Sequence, residues 1–223
     1  MRRLGYERVY DIHNIIYLPG HIDLWKEAFR RKFSRHDEPL DRSFWEFLET
    51  YDVLCGMPCT VFAQELIKAF PDAKVILTVR ENVEEWQDSY NDTLWPKFEK
   101  YHRSIFPYGF YRTVALFPCI LWPAEVKNGV QRWIARYSIG KLLVAHSDIA
   151  CKDPDRRRAH YEAENQSIKD LLLEDGPEKF LEFKVADGWD RLCRFLGVDQ
   201  PYELEPFPHR IWMTGNYCMA RRG

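Results

Sequence analysis

No single charge dominates this 223-residue sequence, in which 32 Lys and Arg face 34 Asp and Glu for a formal net charge of −2. Without a global basic field, the composition gives no reason to expect DNA, RNA or an acidic membrane surface as a partner. A long apolar run is also missing. The most hydrophobic stretch, Thr113 to Trp122 (TVALFPCILW), is far too short to span a bilayer and contains Pro118. The opening residues, MRRLGYERVYDIHNII, hold two arginines but no apolar segment of the secretory kind, so a soluble, cytoplasmic protein without stable membrane insertion is expected. The cysteines (Cys55, Cys59, Cys119, Cys151, Cys193 and Cys218) have no paired C-x-x-C spacing, which predicts free thiols in a reducing compartment and no metal centre. No G-x-x-x-x-G-K-[ST] occurs, since Gly140-Lys141 lacks both the upstream glycine and a following Ser or Thr. With no repeat, linker or low-complexity run, one domain over residues 1–223 is the expectation.

What is present begins with aromatic residues: they make up 15% of the chain, eight of them Trp, a content suited to a packed core rather than to disorder. The organising stretch is Ala73 to Tyr90, AKVILTVRENVEEWQDSY. Lys74 to Val79 is a β-branched apolar run that reads as a strand buried on both faces. Arg80 follows where a parallel strand would reach its carboxyl end. Asn82 offers an N-cap, and Glu85 three residues on completes a capping-box pattern. Ligands of open α/β sheets bind at such turns, and an Arg beside helix N–H groups suits a phosphate. An Arg that merely pairs with a neighbouring carboxylate fits the same residues.

Around this centre the spacing predicts a strand near Arg8 to Ile12 after a glycine stop at Gly5, and helices over Asp23 to Phe33, from Asp41, and over Pro58 to Phe70. A long helix from Asn82 to about Arg103 should kink or end at Pro96. Ile105 to Trp122 reads as a lid or cover, Glu125 to Arg136 as a helix, and Asp153 to about Leu173 as another. Phe180 to Val185 is a second strand, followed by a helix over Gly188 to Leu196 with Asp187 as its cap and Gly197 as its stop.

These segments resemble the sulfotransferase-like P-loop proteins, in particular a divergent group found widely in fungi and some animals. The resemblance is carried by Leu4-Gly5-Tyr6 with Tyr10, by Phe70 to Arg80 (FPDAKVILTVR) with Trp86 and Ser89, and by Gly188 to Val198 (GWDRLCRFLGV) with Pro206-Phe207-Pro208 behind. It implies an α/β, three-layer, P-loop NTPase-like domain with a mainly parallel sheet. It also implies that the family's first strand and phosphate loop are absent from these residues, as in an N-terminally incomplete or degenerate member, leaving a gap or an unpaired edge in the sheet.

The implied activity is transfer of a sulfuryl group from 3′-phosphoadenosine 5′-phosphosulfate to a hydroxyl or amine of a small-molecule acceptor, weakened here by the missing loop. A non-catalytic protein that keeps the fold, or its 3′-phosphate half-site, is the alternative; a kinase-like protein would want a Walker lysine and a magnesium-binding Asp, and neither is recognisable. By the resemblance, Arg80 and Ser89 would hold the 3′-phosphate, and Arg156 and Arg157 of the DPDRRR segment would lie close to the nucleotide. An exposed helix serine and a solvated basic turn are the competing readings. The family's catalytic His position is occupied by Asp11, with His13 two residues on, so either could serve as the base, although a lone His near a strand end is more often structural. Gly56 stands where the family carries an Asp, which weakens the catalytic case.

Overall fold

The computed structural model describes residues 1–18, 20–33, 39–103, 132, 137–146, 148–201, 207 and 217–220. The expected lid over Ile105 to Trp122 and the helix over Glu125 to Arg136 lie outside those residues, apart from Arg132. By its internal contacts the chain divides into two units. The first is Met1–Ile12, Leu40–Asp88 and Arg158–Gly223; the second is His13–Pro39 and Ser89–Arg157.

The first unit holds the sheet. A turn of 3-10 helix, Arg2–Leu4, is stopped by Gly5, whose φ of 82° is the left-handed conformation a glycine adopts without strain. β1 (Val9–Tyr10) pairs in parallel with β2 (Val53–Cys55), and β3 (Lys74–Thr78) pairs in parallel with β4 (Phe180–Phe183). Between β2 and β3 lies β5 (Tyr217–Ala220), antiparallel to both, so the strand order is β1-β2-β5-β3-β4. Two antiparallel steps restore the original direction. β1, β2, β3 and β4 therefore all run the same way and present their carboxyl ends on one rim.

The expected α/β arrangement, with an interior Lys74 strand and the Phe180 strand as its parallel neighbour, is what the protein adopts. The expected gap is not there. β5 hydrogen-bonds along both β2 and β3, so the middle of the sheet is closed by a strand from near the C-terminus. The physical reason is the cost of unpaired backbone donors and acceptors in a sheet interior, which an antiparallel strand satisfies as well as a parallel one.

Helices pack on both faces of this sheet. On one face Val53, Ile76, Leu181 and Phe183 meet Leu192, Cys193 and Leu196 of a helix at Gly188–Leu196, with Leu4 and Tyr6 alongside. Leu192 and Leu196 each contribute about 1.5–3 kcal/mol by leaving water. That helix ends at Gly197 as its sequence predicts, with φ 71° and a bond from Gly197 N–H to Cys193 O of 2.8 Å. The opposite face, reached by alternate residues of each strand, carries the helix Pro154–Asp175. Its Lys169 pairs with Glu182 of β4 at 2.7 Å, and its Ser167 accepts a 3.0 Å bond from Gln64 of the helix Ala63–Ala69.

In chain order the helices are α1 (Ile12–Tyr17), α2 (His21–Phe33), α3 (Ala63–Ala69), α4 (Val83–Thr93), α5 (Trp95–Arg103), α6 (Pro154–Asp175) and α7 (Gly188–Leu196). Residues 137–146 are also helical. Several boundaries differ from the sequence reading. β1 stops at Tyr10 and Ile12 is already helical, so His13 belongs to α1 rather than to a strand end. Pro58 to Phe62 turns instead of joining α3, with Thr60, Val61 and Phe62 N–H bonded to the Gly56, Pro58 and Cys59 carbonyls. The Asp41 segment forms a 3-10 helix, Ser43–Leu48, with Asp41 Oδ1 accepting from Phe44 N–H at 3.2 Å. The long helix breaks at Leu94, one residue earlier than Trp95-Pro96 opens α5, where a proline lacking its N–H is tolerated.

The second unit is helical among the described residues. Trp25, Ala28 and Phe29 form the buried stripe of α2, and Phe33 stacks on His146 with ring centroids 4.9 Å apart. Four successive carbonyls, Ile149 to Lys152, are each taken by a side chain. Tyr90 Oη donates to Ile149 O, His102 Nε2 lies 2.6 Å from Ala150 O, and Arg157 Nη1 donates to Cys151 O and Lys152 O at 2.8 and 2.9 Å.

Candidate functional site

The carboxyl rim of β1 to β4 gathers four turns: the one at Asp11, Gly56 to Phe62, Arg80 to Asn82, and Lys184 to Asp187. The third is the most fully built. Val79 N–H still bonds Phe183 O at 2.9 Å, so β3 and β4 stay zipped to the rim and Arg80 emerges directly from the sheet. Arg80 N–H then donates to the Tyr161 hydroxyl at 3.4 Å, and the Tyr161 ring stacks on Trp86 at 4.2 Å and 13°. Asn82 caps α4 as its sequence predicts, its Oδ1 accepting from Glu85 N–H at 2.8 Å. Glu85 reaches back to Glu81 N–H at 3.3 Å, one residue upstream of the Asn82 N–H that an ideal capping box would use. The turn is thus held from the strand, from the helix and by an aromatic stack, and it presents a half-buried Arg80 beside the N-terminus of an 11-residue helix.

The carboxylates of this turn are spoken for. Glu81 pairs with Lys184 at 2.7 Å and Glu84 lies 3.8 Å from Arg158. Lys184 is held above the usual lysine pKa, first by its hydrogen bond to Glu81 and then by that carboxylate's charge. Its backbone N–H donates to Asp187 Oδ2 at 2.8 Å. Asp187 was the expected cap of α7, but its carboxylate makes no cap hydrogen bond to that helix and instead serves Lys184 and Arg191.

Asp11 follows β1 on the same rim as Arg80 and is half-buried. Beside it, Cys55 Sγ donates to Tyr10 O at 3.5 Å. Cys59 is buried, and its thiol pKa is pushed up by desolvation first, then by the Cys55 and Asp11 charges, so the Asp11 carboxylate lies within electrostatic reach of that turn. A thiol held neutral this firmly is a packing residue, not a nucleophile. His13 lies in α1, exposed, with its ring stacked at 10° on Tyr17.

A sulfotransferase domain profile matches residues 1–211. The chain belongs to the sulfotransferase domain family. One relative, the Ava biosynthesis cluster protein M of Aspergillus versicolor, is 26% identical over 218 residues, covering 93% of this chain and 72% of the relative.

Within this sulfotransferase-family chain the remaining candidates fall into different surroundings. Ser89 sits on α4, seven residues after Asn82 and nearly two turns along, half-buried. Arg156 is exposed and pairs with Asp148 at 2.7 Å. Arg157 is only 2% exposed; besides Cys151 O and Lys152 O it donates to Asn91 Oδ1 at 3.1 Å, and its guanidinium lies over the Tyr90 and Trp95 rings at 5.1 and 4.8 Å. Consecutive helical arginines point about 100° apart, so one sealed inward and one exposed is what helix geometry imposes on the triplet. Lys184 went unnoticed in the sequence because the expected strand ran on to Val185; β4 ends at Phe183, which leaves Lys184, like Arg80, just past the carboxyl end of a parallel strand.

Among the described residues, no group of three or more His, Cys, Asp or Glu is arranged to hold a metal ion. No helix among them is long and apolar enough to cross a membrane.

Proposed function

We propose that the carboxyl rim is the donor site of a sulfotransferase with a P-loop NTPase-like fold, and that these 223 residues supply the half of it that grips a 3′-phosphate. The observation that carries this reading is Arg80, delivered by β3 to the rim immediately before the capped N-terminus of α4. A guanidinium and a helix N-terminus both favour a dianionic phosphate, each charge-assisted bond contributing about 1.5–3 kcal/mol before the cost of association. The family motif adds Ser89 as a hydroxyl donor from the same helix. Arg157 we assign to holding the Cys151 and Lys152 carbonyls, since both its terminal nitrogens are already engaged by protein oxygens.

In the reaction we propose, the donor is 3′-phosphoadenosine 5′-phosphosulfate and the acceptor a small molecule with a hydroxyl or amine. The acceptor atom attacks sulfur as the bond from sulfur to the 5′-phosphate oxygen breaks, leaving adenosine 3′,5′-bisphosphate. Asp11, on the same rim as Arg80, takes the acceptor's proton. His13, stacked on Tyr17 outside the sheet, is the lesser candidate for that role.

A second reading, a nucleotide-binding protein without turnover, is favoured by β5 and by Gly56. An antiparallel strand fills the slot between β2 and β3, and the residue after β2 carries no carboxylate. With no phosphate loop among its residues, the 223-residue polypeptide should bind adenosine 3′,5′-bisphosphate with a Kd of about 0.1 mM to 1 mM and transfer no sulfate. Calorimetry and a transfer assay with the purified polypeptide check both halves. Micromolar binding that survives Arg80→Ala puts the nucleotide elsewhere; measurable transfer removes the second reading.

A further inference from the structure

Lys184 is a cation of the rim that the family motif does not name. It follows β4 directly, and the register of β3 against β4 (Thr78 opposite Phe183) places it one step beyond the last ladder pair, beside Val79 and the Arg80 turn. Its ammonium is met by Glu81, the residue after Arg80, at 2.7 Å, and both side chains are substantially exposed (37% and 54%). An exposed pair of this kind contributes little to stability, so little opposes its exchange for a better anion. The Glu81 backbone is pinned independently, its N–H bonded to Glu85, and the Lys184 backbone by Asp187. Both side chains can therefore swing without disturbing the turn that carries them. Glu81 thus sits next to Arg80 as an internal carboxylate, on the cation that an incoming phosphate would reach.

We propose that Lys184 is a second phosphate-binding cation of the Arg80 site, and that Glu81 is its displaceable internal anion. This rests on the reading of Arg80 as a phosphate ligand. Binding a phosphate dianion breaks the Lys184–Glu81 pair, transfers Lys184 to a phosphate oxygen and releases Glu81 to solvent. Glu81 also repels the incoming anion, so its charge sets a threshold on affinity. The ligand class is a phosphate monoester on a nucleoside, and the threshold discriminates against singly charged anions, which repay the broken pair less.

The test is a titration of adenosine 3′,5′-bisphosphate by calorimetry or ligand-observed NMR into the full 223-residue chain and four variants. Glu81→Gln, which keeps the shape and removes the charge, should bind about 3–10-fold more tightly than wild type. Lys184→Ala should bind at least about 5-fold more weakly, and Lys184→Arg should stay within about 2-fold of wild type. All three should melt within about 2 °C of wild type, because the pair is exposed. If Arg80→Ala weakens binding while Glu81→Gln and Lys184→Ala leave it unchanged, the inference about Lys184 is wrong and the Arg80 site stands. If Arg80→Ala also leaves binding unchanged, or no variant including Glu81→Gln binds at millimolar ligand, the site itself is misplaced and this inference goes with it.

Discussion

Arg80 and Arg157 were both attractive as phosphate ligands, and the folded chain treats them oppositely. Arg80 leaves the sheet at a strand end, half-buried, in a turn braced by Asn82, Glu85 and the Tyr161–Trp86 stack. Arg157 lies inside the second unit, with three protein oxygens on its two terminal nitrogens and two aromatic rings against its faces. The difference is one of position. A cation just past a parallel strand is delivered to a rim where ligands can reach it. One in the first turn of a long helix can be drawn inward to satisfy carbonyls that the chain leaves open.

The comparison can be broken most directly through stability. Arg157→Ala removes a buried guanidinium that donates to three protein oxygens and lies over two rings, so a loss of about 3 kcal/mol is expected. Arg80→Ala should change stability by no more than about 0.5 kcal/mol. Urea unfolding of both variants reads the contrast, and equal losses would erase it. A smaller effect should come from the turn that presents Arg80. Asn82→Ala, which deletes the α4 cap, should cost about 1 kcal/mol, and Asn82→Asp should restore it. An unchanged unfolding midpoint for Asn82→Ala would mean that the cap is not what holds Arg80 in place.

Arg156 sharpens the comparison from within the same triplet. Its pair with Asp148 is exposed, 61% and 46% at the two side chains, so Arg156→Ala should shift stability by less than about 0.5 kcal/mol. The smallest effect concerns pH. Glu27 on α2 hydrogen-bonds Arg30 and Arg31, which together pull its carboxyl from 4.5 to about 2. A carboxyl with a depressed folded-state pKa contributes stability that is fully present above its ordinary value and is lost as pH falls from there through the folded value. Wild type should therefore lose slightly more melting temperature between about pH 5 and pH 3 than Glu27→Gln does. Equal losses would show that solvent screens the pair completely.

Much of this was legible in the sequence wherever a local pattern and a burial pattern agreed. The run Lys74 to Val79 could only be a buried strand, and Gly197 after Leu196 could only be a stop, because each satisfied its neighbours without help from afar. The Arg80 turn was legible for the same reason, with its cap three residues from its glutamate. Three things were not. β5 has four residues and no local signature; it is a strand because β2 and β3 have backbone groups to satisfy, which is a tertiary demand. Arg157 and Arg156 look alike in sequence, and only the carbonyls of Cys151 and Lys152 decide between them. His13 was placed with a strand because the two-residue β1 is too short to show where alternation gives way to a helix.

The central claim is that Arg80 is at the rim for a ligand and not for the fold. It is tested by measuring adenosine 3′,5′-bisphosphate affinity and urea stability on one preparation of Arg80→Ala. The expected result is affinity lower by about 10-fold, the equivalent of one charge-assisted bond, with an unfolding free energy within about 0.5 kcal/mol of wild type. Unchanged affinity together with a loss of 2 kcal/mol or more in stability, roughly what a buried structural arginine gives, would contradict it.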